Sequence, residues 1–194
     1  MPTPYGNREK RQHILETAYG LFKRDGFHAT GIDRIIAQAD VAKMTMYRHF
    51  PSKDGLIVEV LDWRMERFER QLDQLAEAGG TPEDKIDRIF DWYGRWFQSP
   101  DFHGCLFAHA LAEYGDPAHA VFKAATGQKN SLKRRIHEIV AEALPDGRAG
   151  TVAAALLMLI EGATLLAQMG QGEVAIRDAR KVALSFFAQS TSRS

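Results

Sequence analysis

Proline and glycine divide this chain into helix-length intervals, and within those intervals apolar residues return every three or four positions. Pro51, Pro82, Pro100, Pro117 and Pro145 all stand where a helix can begin or end. Between them Ile14, Ala18, Leu21 and Phe22 share a face, as do Ile32, Ile35, Ile36 and Ala39. Ile57, Leu61, Met65, Phe68, Leu72 and Leu75 form a third such set, and Ile86, Ile89, Phe90, Tyr93, Trp96 and Phe97 a fourth. Alternating apolar and polar runs flanked by hairpin turns are missing, so the chain reads as all-α, with about nine helices.

Start and stop signals agree. Thr30 is expected to cap the short second helix, and Ser52 to cap a long run after Pro51. Thr81-Pro82-Glu83 supplies cap, first-turn proline and first-turn acid in order. Gly26, Gly79-Gly80 and Gly170 suit the stops. The run from 52 to 78 predicts a helix of roughly 40 Å. No linker-like segment or repeat interrupts the chain, so a division into 1–53 and 54–194 leaves two domains coupled through that helix.

At 194 residues, 45% hydrophobic and 26% charged, the chain can bury a core without staples. Its one cysteine, Cys105, cannot close an intrachain disulfide, and residues 1–12 hold no apolar export segment; a cytoplasmic protein is expected. The longest apolar run, Val152 to Ile160, falls short of the roughly 18 residues of a membrane span, so it reads as a buried helix and no membrane partner is expected. The formal charge of zero hides two unlike halves. Residues 1–53 carry nine basic side chains against five acidic, the remainder 16 against 20. A basic module joined to an acidic body is one reading and chance is the other; charge alone does not choose.

The basic segment carries the most specific pattern. A longer helix, about 8–25, precedes two short ones, about 31–38 and 42–49, separated by Ala39-Asp40-Val41. Two short helices around a tight turn are the helix-turn-helix arrangement, whose second helix lies in the major groove. Periodicity puts Ile35, Ile36, Ala39, Val41, Tyr47 and Phe50 on the inner face, and Lys43, Met44, Thr45, Met46 and Arg48 on the outer. Cations and hydroxyls reach phosphates, while Thr and Met methyl groups can touch a thymine methyl or a base edge.

From Thr30-Gly31-Ile32-Asp33 through Ala39-Asp40-Val41-Ala42-Lys43-Met44-Thr45-Met46-Tyr47-Arg48-His49-Phe50-Pro51-Ser52-Lys53-Asp54-Gly55-Leu56, the sequence resembles the DNA-binding domain of TetR-family transcriptional regulators. The resemblance implies that Lys43, Met44 and Thr45 face the groove, that Tyr47 and His49 meet the phosphate backbone, and that Thr30 and Lys53 meet flanking phosphates. Arg48 joins them from the outer face. Local readings stand beside these: Tyr47 as a core aromatic, His49 as a cation closing a helix C-terminus, Lys43 and Arg48 as solvated charges. Three positions depart from the family pattern. Asp40 stands where a turn glycine is usual, Ala42 where a capping serine is common, and Met44 in place of a usual glycine. Met44 is therefore the first candidate for an altered sequence preference.

The resemblance implies that the remainder is a ligand-binding, dimer-forming helical body. Trp92, Trp96, Cys105, His109, Glu113, Met158 and Glu161 are the candidates to line an apolar pocket with a few polar handles, although an aromatic stripe at helical spacing is also ordinary core. The helix from about 148 to 169 is apolar nearly all round and requires cover on every side. With the last helix, about 173–189, it suits a four-helix interface with a second copy. Cys105 and His109, four apart, have no second ligand pair, so no metal and no cofactor are expected. No glycine-rich phosphate loop, HExxH or serine elbow is present. The expected protein is a non-enzymatic, homodimeric repressor that binds a palindromic double-stranded DNA operator and is released by a small-molecule effector. The rival is a helical carrier or enzyme whose first helices merely cap its core.

Overall fold

A computed structural model describes residues 6–192, and among them every regular element is helical. The order is α1 (Asn7–Asp25), α2 (Ile32–Gln38), α3 (Lys43–His49), α4 (Lys53–Glu77), α5 (Pro82–Phe97), α6 (Leu106–Glu113), α7 (Ala120–Ala141), α8 (Asp146–Leu166) and α9 (Gly172–Thr191). Helices α8 and α9 run together through a π-turn at Ala167–Gln171, kinked where Gly170 takes φ 82°. Glycine alone adopts that conformation without a Cβ penalty, so the expected stop at Gly170 is a kink between two joined helices.

Two of the three expected caps form. Ser52 Oγ accepts the Gly55 amide at 3.0 Å, and Thr81 and Asp84 cap one another's backbone at the start of α5. Thr30 does not cap: the N-cap of α2 is Gly31, without a side-chain bond. The Thr30 hydroxyl instead donates to the Gly26 carbonyl at 2.7 Å, and the residue is fully buried. A threonine hydroxyl can serve a local turn or the next helix, and here the turn takes it.

The chain divides into two compact units, neither continuous in sequence: Met1–Glu66 with Leu106–Thr126, and Arg67–Cys105 with Gly127–Ser194. In the first, Ile14, Leu15, Phe22, Phe27, Ile35, Met46, Phe50, Leu56 and Ile57 are at most 2% exposed. They hold α1, α2, α3 and the start of α4 around one core. The second buries Phe68, Phe90, Tyr93, Leu132, Ile136, Leu156, Ile160 and Phe187. By length and composition the joined run Asp146–Thr191 reaches the threshold of a membrane-crossing helix, which the shorter run Val152–Ile160 does not. Its kink and the buried small residues Ala163, Ala175 and Ala179 suit a helical hairpin packed on itself. That hairpin is not covered on every side within one chain. Met158, Leu165, Met169, Val174 and Val182 are each at least half exposed.

Between α2 and α3 the chain turns through a Schellman arrangement, Val41 N–H donating to the Ile36 carbonyl and Asp40 N–H to the Ala37 carbonyl, both at 3.3 Å. Asp40 has φ 49°, and no other non-glycine among the described residues has positive φ. The left-handed conformation costs an L-residue free energy that aspartate's short polar side chain only partly offsets. Asp40→Gly is therefore expected to stabilise the protein by about 0.5 kcal/mol, net of the greater freedom of unfolded glycine, raising the melting temperature by roughly 1–2 °C. Asp40→Ala should lower it, and paired calorimetric scans check both signs.

Candidate nucleic-acid interface

Helix α3 has a buried face and a free face. Met46 and Phe50, four apart, are 0% and 1% exposed and pack into the first unit's core. Lys43, Met44, Tyr47 and Arg48 are exposed, with Thr45 and His49 half-buried between the two faces. This exchanges two expected placements. Tyr47 lies outside, sharing a side with Lys43 four residues before it, and Met46 lies inside. Both spacings are helical, and the unbranched, wholly apolar methionine takes the core position while the phenol keeps its hydroxyl in water.

The free face stands in a cationic setting. Lys43 Nζ lies 3.4 Å from the Asp33 carboxylate, an exposed pair. Arg11 makes a 2.7 Å ion pair with Glu59 and places its guanidinium 5.0 Å from the centre of the Phe50 ring. Burial lowers the pKa of His49, and the Arg48, Arg11 and Lys10 charges lower it further, so the ring is neutral near pH 7. Its Nε2 is buried without a hydrogen-bond partner. His49 thus stands in the last turn of α3 as a half-buried ring in the field of cations from α1 and α3.

The turn before α2 is fastened from several sides. Glu113, at the end of α6, accepts the Phe27 amide at 2.9 Å through one carboxylate oxygen and the His28 amide at 2.5 Å through the other. The His28 ring lies 3.1 Å from the same carboxylate and stacks on Tyr114. Tyr114 donates to Asp54, and burial, with Asp54 and Glu113 nearby, pushes its phenol up to about 12. Lys53 Nζ donates to the His28 carbonyl at 3.4 Å. Gly26, at φ 84°, leaves the space that Glu113 uses: a Cβ there would lie 3.0 Å from the carboxylate. Thr30 and Lys53, expected at flanking phosphates, are thus tied to this turn, Thr30 wholly and Lys53 through one long hydrogen bond.

Residues 14–60, from α1 into α4, match the family model for bacterial regulatory proteins of the tetR family. The HTH-type transcriptional repressor KstR of Mycolicibacterium smegmatis is 30% identical over 140 residues, covering 72% of this chain and 65% of that protein. The repressor of the same name from Mycobacterium tuberculosis is 35% identical over 80 residues, covering 41% and 36%. The crystal structure of SCO4454, a TetR-family transcriptional regulator from Streptomyces coelicolor, matches with a TM-score of 0.89 at 29% identity, covering 95% of this chain and 97% of that one. The chain belongs to the TetR family. It spans less than two thirds of the length of either KstR repressor.

In this TetR-family chain the seven side chains singled out for a pocket fall in different places. His109 and Glu113 belong to the first unit; Trp92, Trp96, Cys105, Met158 and Glu161 belong to the second. Glu113 is committed to the two backbone amides. Trp92 and Trp96 stack with ring centres 6.0 Å apart, and Trp96 meets Phe102 edge-on at 4.9 Å. Met158 lies 67% exposed on α8, in a surface groove with Leu166, Val174 and Val182. Glu161 pairs with Lys129, whose ammonium stands 2.7 Å from the carboxylate and 3.2 Å from Cys105 Sγ. Burial pushes Lys129 down, but Cys105 and Glu161 outweigh it and leave the pKa raised, so the ammonium stays charged. Among the described residues no group of three His, Cys, Asp or Glu side chains is placed to hold a metal ion. Sequence reasoning missed the role of Glu113, because its backbone partners lie 86 and 85 residues away and nothing local marks them.

Proposed function

We infer that this chain is a DNA-binding transcriptional regulator without catalytic activity: a cytoplasmic homodimeric repressor of a palindromic operator, released by a small-molecule effector. The observation that carries the reading is the free face of α3, with Lys43, Met44, Tyr47 and Arg48 exposed on a helix whose other face is locked in a core. A helix so held can enter a major groove without unfolding anything behind it. The uncovered apolar face of α8 and α9 supports a second copy as partner, because exposed apolar surface of that kind marks an interface. Two copies related by a two-fold axis would present two α3 helices to two half-sites. Operator and effector must then weaken each other's binding by equal factors.

The test is the salt dependence of binding to duplexes from the protein's own upstream region. Affinity should fall with salt, with a slope of about 0.9 for each phosphate neutralised. Tyr47→Ala and Arg48→Ala should each weaken binding with the helical content unchanged, and Arg48→Ala should also flatten the slope by about one contact per half-site. Salt-independent binding, or undiminished affinity in both variants, overturns the reading.

A further inference from the structure

Large apolar side chains exposed on this chain fall into two groups among the described residues. One is on α8, α9 and the turn joining them, where a second copy would cover it. The other is Met44 and Tyr47, both on α3. Met44 is 82% exposed, more than any other large hydrophobic residue described. Beside it on the helix's first turn, the Lys43 ammonium pairs with Asp33 at 3.4 Å across exposed surface, and Thr45 is half-buried. The freest group there is a flexible thioether. It carries no hydrogen-bond donor and only a weak acceptor, so it cannot distinguish bases by the polar code of the major groove. What an apolar side chain can read in that groove is the C5-methyl group of thymine.

We propose that Met44 is a specificity-determining residue that selects, in each half-site, a thymine through its C5-methyl group. The inference rests on the DNA-binding reading above and adds the chemistry of one base. The gain is the removal of methyl surface from water on both partners. A buried methyl-sized group is worth about fourfold in affinity, and two half-sites together about 15-fold. Its wide exposure and three rotatable side-chain bonds let Met44 reach such a methyl without disturbing the core beneath α3.

The experiment selects preferred duplexes from a random pool with the full-length protein. It then replaces each thymine of the preferred half-site singly by uracil, which keeps every hydrogen-bonding group and lacks only the methyl. The expected result is one position per half-site where uracil costs about fourfold, rising to about 15-fold when both half-sites are changed. Met44→Ala should bind the thymine duplex more weakly by a similar factor and no longer distinguish uracil there, while Met44→Leu keeps the discrimination. Equal affinity of the wild-type protein for every uracil duplex overturns the proposal, as does a penalty that survives intact in Met44→Ala. A pool from which no duplex is enriched defeats the regulator reading and this one together; an enriched duplex indifferent to uracil defeats this one alone.

Discussion

Glu113→Ala is expected to destabilise the protein by about 2–3 kcal/mol, more than a partly exposed surface carboxylate would suggest. The substitution removes the acceptor of two backbone amides at once, and one belongs to Phe27, whose side chain is fully buried. Hydrogen bonds to an ionised acceptor are stronger than neutral ones, and the part-buried Phe27 amide loses its partner, whereas the exposed His28 amide can turn to water. The Gly26 backbone, shaped to admit the carboxylate, would face a gap. Glu113→Gln, which keeps one carbonyl acceptor, should cost about half as much. Urea unfolding of the two variants checks the order, and a loss below about 0.5 kcal/mol for Glu113→Ala would show that the clamp is not a stabilising contact. Because Phe27 and His28 lead directly into α2, operator affinity should also fall at temperatures well below unfolding.

That contact marks the limit of what the sequence discloses. The positions of α1 to α5, α8 and α9, the caps at Ser52 and Thr81, and the left-handed turn at Asp40 are legible, because each depends on residues within one helical turn of one another; α6 and α7 carry no such start and stop signals. The exposed set on α3 is nearly legible. Periodicity finds the helix but not its rotation, since Tyr47 can pair with Phe50 three residues on or with Lys43 four residues back. The choice is made by the core of the first unit, in which Met46, Ile35 and Phe50 are all buried. Thr30 shows the same limit at shorter range, its hydroxyl having two lawful partners. Glu113 and Lys129 go further: a carboxylate bound to amides 86 and 85 residues away, and an ammonium held by a carboxylate 32 residues away, have no signature in the order of residues. Residue type is all that marks the candidate pocket residues in the sequence, and type does not distinguish a ligand handle from a structural clamp.

The α8 and α9 hairpin offers the other large effect. Leu165→Asp is expected to leave a folded chain that no longer self-associates, because Leu165 is 61% exposed and the single chain does not depend on its burial. In a two-fold interface the same substitution enters twice. Burying an unpaired carboxylate among apolar side chains costs about 2–3 kcal/mol per copy in an interface that can partly relax. The dimer dissociation constant should therefore rise by about 10³–10⁴-fold. Sedimentation at micromolar concentration should give a dimer for the wild-type protein and a monomer for Leu165→Asp, with unchanged helical circular dichroism. Val182→Asp, on the facing helix and 52% exposed, should behave alike. Each variant should also lose most of its affinity for a two-half-site duplex while keeping the weak, salt-dependent affinity of one α3 helix, since nothing in the first unit has changed. A dimer that persists in both variants would place the partner surface elsewhere, and the exposed residues of α8 and α9 would then need another cover.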